Sequence, residues 1–413
     1  MSKDNSKFFK HKSDWAVIKD KLLKCYLKPY FQKLLKSNKS ICYVDCFAGK
    51  GKFEDGKDGS PLIAIKVRDE CLNLSKCCNK GNEIRLLFIE KNHIEELRQN
   101  ISDYSTIYNS PDTKKGSFNN IISESIRKEK GQNVFLYIDP YGIKYLDMNL
   151  FKKLALYKFS SIEMLVNFNS FGFFRCACSY MKVDTSKDEA FGDLDELIEY
   201  APISFKDIKN PEKLLNKVAG GDYWKNIVND YKSHSIDGYQ AEKRLSAEYK
   251  ECLNKYFKYV LDIPIKLKPE QHPKYRMIHV CNHEDGCCLM ARNMLNRKEE
   301  LCVDVQRNGQ LCLFDAPTSA EGNIVTREEV RKEVIESLPE INKSISKGKF
   351  LANLMTKSGI ICDFKIIYGV LEELSGEGKL YIERIPPLTR TGKRSSFWEE
   401  KKGQQIILWR KQK

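Results

Sequence analysis

Residues 41–51 read Ile-Cys-Tyr-Val-Asp-Cys-Phe-Ala-Gly-Lys-Gly. The apolar run predicts a buried β-strand, and the glycines after it predict a tight turn. Gly49 and Gly51 carry no Cβ, so a bound nucleotide-like group could approach their main chain closely. Such a turn, at the carboxyl end of a parallel strand, is where open α/β sheets bind their ligands. A tight turn that binds nothing is the alternative interpretation.

Strands and helices alternate outward from this turn, which predicts an α/β, Rossmann-like sheet buried on both faces. Further strands are expected at 84–89, 133–138, 163–168 and 275–280, and helices at 14–36, 62–71, 93–100, 117–126, 150–157 and 287–300. Residues 170–265 are polar and helical in pattern, so we interpret them as a helical insertion. A strand pair around 311–314 is expected to complete the sheet domain.

Length and charge suggest how the chain is organised. With 413 residues it exceeds one ordinary core, so we expect a basic helical segment at 1–40, a sheet domain at 41–315 and a separate domain at 325–413. The net charge of +14 divides into +8 for residues 1–40 and +6 for residues 325–413. A neutral body with two basic ends favours a polyanionic partner, and ordinary solvation by lysine is the alternative.

Several classes of protein are disfavoured. No run approaches 18 apolar residues, and residues 1–12 lack the apolar segment of a secretory signal, so we expect a cytoplasmic protein without a membrane partner. The fifteen cysteines show no disulfide framework, and we expect them to be reduced. Cys176 and Cys178 are the best metal candidates. They lack a second pair of ligands, so no metal site is predicted.

The strand at 133–138 ends on Asp139-Pro140-Tyr141-Gly142, at the same edge as the glycine turn. Amino-group methyltransferases place an acid or amide, a proline and an aromatic residue here. The acid and a proline carbonyl accept hydrogen bonds from the target amine, and the aromatic ring stacks on an extruded base. In this chain Tyr141 stands where a second proline is usual. The alternative is that Asp139 caps a turn and Tyr141 packs in the core.

The sequence disfavours cytosine-C5 methylation. Those enzymes use a cysteine nucleophile that follows a proline, and the chain contains no Pro-Cys dipeptide.

The last 90 residues predict a winged-helix domain. A capping box at Thr326–Glu329 opens one helix, two more are expected at 350–358 and 363–374, and strands at 379–384 and 405–409 flank a polar loop. Arg390, Lys393 and Arg394 in this loop could contact nucleic-acid phosphates. Winged helices also dock proteins, so that alternative stays open.

Five segments together resemble the three-Cys-motif partner protein family, TcmP, over roughly residues 10–315. They are residues 43–51, 59–62, 88–92, 137–142 and 165–168. The core of that family is similar to ribosomal-RNA adenine-N6 methyltransferases, so the resemblance implies a Rossmann-like domain that binds S-adenosylmethionine. It also implies a partner protein that carries the three-cysteine motif.

The resemblance implies a set of site residues. Asp45, Phe47, Gly49 and Gly51 would line the cofactor site, with Glu90 at the ribose and Asn119 at the adenine. Asp139 would be the catalytic carboxylate, beside Pro140 and Tyr141.

We expect an enzyme that methylates a nucleobase amine of DNA or RNA. The alternative is a non-catalytic adaptor or sensor that uses a Rossmann scaffold and a winged helix.

Overall fold

The computed structural model describes residues 10–37, 39–75, 83–104, 108–192, 208–265, 275–306, 318–319 and 325–410. The chain divides into two compact units, Met1–Asn282 (the sheet unit) and His283–Lys413 (the C-terminal unit). Among the described residues, no helix has the length and apolarity needed to cross a bilayer.

The described residues of the sheet unit form seven strands. They are β1 (Ile41–Asp45), β2 (Ile84–Glu90), β3 (Asp112–Lys115), β4 (Asn133–Ile138), β5 (Ser161–Phe168), β6 (Tyr259–Ile265) and β7 (Tyr275–Cys281). They pair in the order β3-β2-β1-β4-β5-β7-β6. The first five are parallel, and β7 is antiparallel to both of its neighbours. The order changes direction between β1 and β4, and the crevice beyond the carboxyl ends at such a switch point is a ligand-binding position.

Helices cover the sheet and form the insertion. Before the insertion come α1 (Asp14–Lys36), α2 (Ser60–Ser75), α3 (Ile94–Ser102), α4 (Phe118–Ser125) and α5 (Met148–Ala155). The insertion contains α6 (Ser170–Tyr180), α7 (Glu189–Gly192), α8 (Pro211–Ala219), α9 (Trp224–Lys232) and α10 (Gly238–Asn254). The expected alternation of strand and helix is therefore confirmed.

Helix α1 packs on the sheet through aromatic rings. Ser13 caps the helix by accepting a hydrogen bond from the Ala16 amide. The rings of Tyr26 and Tyr30 lie 5.6 and 5.4 Å from that of Phe135 on β4, and all three side chains are buried. This contact fixes where the N-terminal end of α1 lies relative to the ends of β1 and β4.

The structure corrects the expected sheet at three places. The strand β3 was not predicted, because an edge strand of sequence Asp-Thr-Lys-Lys lacks an apolar pattern. The helical stretch ends at Asn254 rather than near 265, since Tyr259–Ile265 forms the edge strand β6. Pro264 obscures that strand in the sequence, although an edge strand tolerates proline. The third correction is that β7 runs antiparallel to the other strands beside it.

Buried ion pairs fasten β7 to the insertion. The Arg276 guanidinium donates to both oxygens of Glu242 on α10, at 2.7 and 2.9 Å, and to Asp262 on β6 at 2.7 Å. Lys250 completes the set with an ion pair to Asp262 at 2.7 Å. Each of these charges is paired, so removing one partner would leave a buried charge without its counter-charge and destabilise the fold.

The C-terminal unit has its own core. Its elements are α11 (Glu284–Gln306), β8 (Thr318–Ser319), α12 (Arg327–Ser337), β9 (Ser344–Ser346), α13 (Lys347–Ser358), β10 (Ile360–Ile361), α14 (Phe364–Gly376), β11 (Tyr381–Ile385) and β12 (Gln405–Trp409). Strands β11, β12 and β9 form an antiparallel sheet, and the capping box between Thr326 and Glu329 is confirmed. The predicted strand pair at 311–314 lies outside the described residues.

Candidate functional site

The candidate site lies at the carboxyl ends of β1, β2 and β4. Asp45 is the last residue of β1 and is fully buried. Its Oδ1 accepts a hydrogen bond from the Phe47 amide at 3.2 Å. Its Oδ2 accepts none from the part of the chain that the structure describes. Burial raises the pKa of Asp45 to about 7, so the carboxyl lies near the point of losing its proton at neutral pH.

The turn after Asp45 depends on its glycines. Gly49 and Gly51 have φ values of +60° and +80°, which favour glycine. A Cβ added to Gly51 would also lie 2.9 Å from Leu97 Cδ1 on α3. The turn is anchored to neighbouring strands, because the Cys46 amide donates to the Tyr137 carbonyl at 2.9 Å and the Ala48 amide donates to the Ile89 carbonyl at 3.0 Å.

Glu90, at the end of β2, faces this turn. Its Oε2 accepts from the Gly49 amide at 2.8 Å, and its Oε1 accepts from the amides of Asn92 and His93 at 2.7 and 3.1 Å. A carboxylate has about four acceptor positions, so these three bonds leave about one for a ligand hydroxyl. Glu90 therefore both shapes the glycine turn and stays able to accept from a ligand.

Asn119 lies in the first turn of α4. The ring of its neighbour Phe118 lies 5.4 Å from that of Phe47, which brings α4 beside the glycine turn. Phe47 also contacts Tyr145, with the rings 5.5 Å apart. The Oδ1 atom of Asn119 is buried and has no hydrogen-bond partner among the described residues. It is a second acceptor that a ligand donor could satisfy.

Asp139 follows β4 and is more engaged than the sequence suggested. Lys19 Nζ lies 2.9 Å from its Oδ1 and 2.8 Å from its Oδ2. Asn167 Nδ2 donates to Oδ1 at 2.7 Å, and the Tyr137 hydroxyl donates to Oδ2 at 3.4 Å. Asp139 is thus the centre of a hydrogen-bonded group formed by α1, β4 and β5.

The residues after Asp139 form a tight turn. The Gly142 amide donates to the Pro140 carbonyl at 2.9 Å, and Gly142 has a φ of +91°. Tyr141, at the middle of this turn, is half-buried. The proline carbonyl therefore already accepts one hydrogen bond within the turn.

Lys19 is the site residue that sequence reasoning missed. The sequence predicts α1 only as a helix at 14–36 within a basic segment. The available signal was its spacing, since Lys19 lies four residues after the buried Trp15 and so shares its face of the helix. A lysine on the buried face of an amphipathic helix requires a partner, and Asp139 lies 120 positions further along the chain.

The segment before α1 is fastened beside the glycine turn. Lys12 forms an ion pair with Asp20, and its ammonium donates to the Asp58 carbonyl at 2.6 Å. Its backbone amide donates to Asp55 at 3.1 Å, and its Nζ lies 5.5 Å from the centre of the Phe53 ring. Part of the basic N-terminal charge is therefore used inside the sheet unit.

The predicted wing residues belong to the C-terminal unit. Arg390, Lys393 and Arg394 are exposed, and they form no ion pair with the carboxylates that the structure describes. They lie on a small hairpin in which the Thr389 amide donates to the Lys393 carbonyl at 2.8 Å. Cys176 and Cys178, in contrast, are buried in α6 at 4% and 0% exposure, and neither forms a disulfide with a cysteine that the structure describes.

No family model matches the chain, and none of the curated proteins matches it. Among solved structures, six chains match it in fold. One is the plantazolicin methyltransferase BamL in complex with a triazolic desmethylPZN analog and SAH, at 11% identity. That match covers 65% of this chain and 86% of the other, with a TM-score of 0.30.

The order and direction of the strands define the fold class of the sheet unit. The sheet unit is an α/β fold with a seven-stranded, mostly parallel sheet, consistent with a Rossmann-like methyltransferase. Asp45, Gly49, Gly51, Glu90 and Asp139 lie at one edge of it, and Phe118, the residue before Asn119 on α4, contacts Phe47.

Proposed function

We propose that the chain is an S-adenosylmethionine-dependent methyltransferase that acts on a nucleobase amine of DNA or RNA. The observation that carries the proposal is a pair of buried acceptors without partners among the described residues, Asp45 Oδ2 at the glycine turn and Asn119 Oδ1 on α4, the helix whose Phe118 contacts Phe47. Buried acceptors without partners are uncommon in folded proteins. S-adenosylmethionine has a donor for each of them, an ammonium at its methionine end and an amine on its adenine.

The residues present fit this cofactor. Asp45 would hold the methionine ammonium, the remaining acceptor position of Glu90 would take a ribose hydroxyl, and Asn119 would take the adenine amine. Gly49 would let the ligand approach its main chain, since it has no Cβ atom to exclude it. When bound, the cofactor supplies an electrophilic methyl group on its sulfonium.

The chain's own contribution to chemistry would come from Asp139 and Tyr141. Asp139 would accept a hydrogen bond from the target amine and keep its lone pair directed at the electrophile. Tyr141 would stack on the target base, which must be single-stranded or extruded from its helix. The turn after Asp139 supports this, because a second proline is replaced without loss of a compact turn.

Nucleic acid would be held by the C-terminal unit. Its order α12-β9-α13-α14-β11-β12 supports a winged-helix domain, with residues 386–404 as the wing. The outward face of α14 is a poor contact for phosphates because it is acidic and its neighbouring arginines are already paired. Glu372 and Glu373 on the helix and Glu377 just after it pair with Arg384, Arg327 and Arg331. This arrangement favours the wing as the nucleic-acid contact. The basic residues of the hairpin have no such partners among the described carboxylates and remain available for phosphates.

The resemblance to the three-Cys-motif partner family extends the proposal to a protein partner. It rests on the five sequence segments alone, and it predicts that the chain works together with a protein that carries the three-cysteine motif.

The second candidate function is a non-catalytic adaptor with a Rossmann scaffold and a winged helix. One observation favours it: Asp139 already accepts from three side chains, and Lys19 holds both of its oxygens. An adaptor needs no acceptor position on that carboxylate.

Calorimetric titration with S-adenosylhomocysteine tests the cofactor site. Wild type should bind, and Gly49→Val should bind at least about tenfold more weakly, which corresponds to about 1.4 kcal/mol. The matched control is Gly56→Val, because Gly56 has a similar φ of +84° in the same loop and a Cβ there would meet nothing within 4 Å. The control separates the strain of a positive φ from obstruction of the site.

Equal affinity of wild type and a folded Gly49→Val variant would remove this turn from the cofactor site. Wild type that binds S-adenosylhomocysteine but transfers no methyl group to any DNA or RNA pool would favour the adaptor.

A further inference from the structure

Asp139 is held from three elements, and only one of its partners carries a charge. Asn167 on β5 and Tyr137 on β4 are neutral donors whose positions the sheet fixes. Lys19 comes from α1, is 7% exposed, and places its ammonium against both carboxylate oxygens. An ion pair with this degree of burial and this geometry orients a carboxylate strongly.

The surroundings of Lys19 hold its ammonium in place. Its Nζ lies 5.3 Å from the centre of the Tyr275 ring at the start of β7. That ring in turn contacts Trp15, one turn earlier on α1, at 5.7 Å. A cation beside an aromatic ring is stabilised most where water is excluded, as it is here. The Lys19 side chain is therefore a fixed part of the site.

Other charged groups crowd the same edge. Asp20 on α1 and Asp45 on β1 are buried, and Lys12 pairs with Asp20. Burial raises the pKa of Asp20 to about 6 and that of Asp45 to about 7. Burial at this edge therefore disfavours the charged form of a carboxyl group, and a cation beside the carboxyl, such as Lys12 beside Asp20, opposes that effect. A protonated carboxyl donates a hydrogen bond where the proposed reaction needs an acceptor.

We infer that Lys19 is a positioning residue for methyl transfer, whose ammonium pairs with the charge of the Asp139 carboxylate and aims it so that it accepts from the target amine. The inference rests on the proposed function and names a residue outside the expected motif. Lys19 acts through Asp139 and needs no contact with the reacting atoms.

The hydrogen bonds around Asp139 leave a place for the amine. Its Oδ1 accepts from Lys19 and Asn167 at 2.9 and 2.7 Å. Its Oδ2 accepts from Lys19 at 2.8 Å and only weakly from Tyr137, at 3.4 Å. A target amine can take the position on Oδ2 that the Tyr137 hydroxyl uses poorly, while Lys19 stays bound.

The test compares Lys19→Met, Lys19→Arg and Lys24→Met with wild type. Lys24 is an exposed lysine one turn further along α1, so its variant controls for loss of a lysine from this helix. Each variant is checked by thermal unfolding and by its affinity for S-adenosylhomocysteine. Methyl transfer from S-adenosylmethionine labelled in its methyl group, to pools of unmodified RNA and DNA oligonucleotides, is then followed across pH.

Lys19→Met should lower kcat at least about tenfold while the affinity for S-adenosylhomocysteine stays within about twofold. The acid limb of its pH profile should move upward by about one unit or more, the usual effect of losing a charge partner. Lys19→Arg should retain most of the activity and the wild-type pH profile, because it keeps the charge.

A second measurement does not depend on turnover. In protein labelled with ¹³C at aspartate Cγ, the Asp139 signal is assigned by its loss in Asp139→Asn, and its titration is compared between wild type and Lys19→Met. An upward shift of the midpoint in Lys19→Met supports the inference. An unchanged midpoint, or a folded Lys19→Met enzyme with wild-type kcat and pH profile, overturns it. Absence of methyl transfer by wild type overturns the proposed function instead and leaves the titration to decide the role of Lys19.

Discussion

Two buried side-chain oxygens that accept no hydrogen bond from the described residues distinguish the candidate site from an ordinary turn. Asp45 and Asn119 each keep one buried acceptor without a partner among the described residues. Asp45 also bears the cost of burial, which raises its pKa to about 7. The protein therefore retains a group that weakens its own fold at neutral pH. Such local conflicts are expected where residues serve function.

At alkaline pH, the Asp45→Asn variant should have a higher free energy of unfolding than wild type. The pKa of Asp45 is raised in the folded state, so its contribution to stability is present below about pH 4 and lost as the pH rises through about 7. At about 1.36 kcal/mol per unit, the loss is at most roughly 4 kcal/mol. In denaturant unfolding, Asp45→Asn should exceed wild type at pH 8, and the difference should shrink toward pH 4.

Asp103→Asn is the control for this change, because Asp103 is an exposed carboxyl of the same unit. It should leave the stability nearly unchanged at both pH values. A difference between Asp45→Asn and wild type that does not vary with pH would contradict the buried ionisation.

The element of the C-terminal unit that would make the proposed nucleic-acid contact is the loop between β11 and β12. Its base is ordered by Trp398, whose ring stacks on Tyr368 of α14 at 4.4 Å and whose indole donates to Glu372 at 3.1 Å. Its tip carries Arg390, Lys393 and Arg394 on an exposed hairpin. An ordered base reduces the entropy lost when a basic tip binds phosphate.

Replacing Arg390, Lys393 and Arg394 together by alanine should weaken nucleic-acid binding about equally for all sequences, because phosphate contacts carry no base information. Each lost contact with duplex DNA should flatten the slope of log affinity against log salt by roughly 0.9. Fluorescence anisotropy at several salt concentrations measures both effects.

The charge-matched control replaces Lys332, Lys343 and Lys379, three exposed lysines of the same unit, by alanine. It removes the same net charge away from the hairpin and should change the slope much less. If both triple variants behave alike, the charge acts non-specifically, and if neither changes binding, the wing contacts protein.

At the scale of the molecule, the division between the two units falls at Asn282–His283. All seven strands of the large sheet precede it. Helix α11 follows it and packs on α13, with Cys287, Met290 and Ala291 fully buried. The separate domain at 325–413 expected from the sequence stays a prediction, and α11 packs with elements of that segment.

A fragment that ends at Asn282 should therefore fold and retain the affinity of the full chain for S-adenosylhomocysteine. A fragment that ends at residue 324 should aggregate more readily, because it carries α11 without α13 and exposes its apolar face. Size-exclusion chromatography and calorimetry on both fragments make the comparison. A fragment 1–282 that fails to fold, beside a well-behaved fragment 1–324, would contradict this division.

Features that arise from residues close together in the chain can be predicted from the sequence. The extent of α1, the strand and glycine turn around Asp45, the strand that precedes Asp139 and the capping box at Thr326 are all encoded by patterns within a few residues. The acidic ends of β1, β2 and β4 also follow from sequence, because parallel strands bring their carboxyl ends to one edge.

Contacts between residues far apart in the chain become visible only in the folded structure. The pairing of Lys19 with Asp139, the bond from Gly49 to Glu90 and the antiparallel direction of β7 join residues far apart in the chain. No local pattern specifies such contacts, since they follow from how α1 packs on the sheet and from the order of the strands. Burial is decided in the same way, and it turned Asp45 from a polar strand end into a carboxyl that titrates near neutral pH.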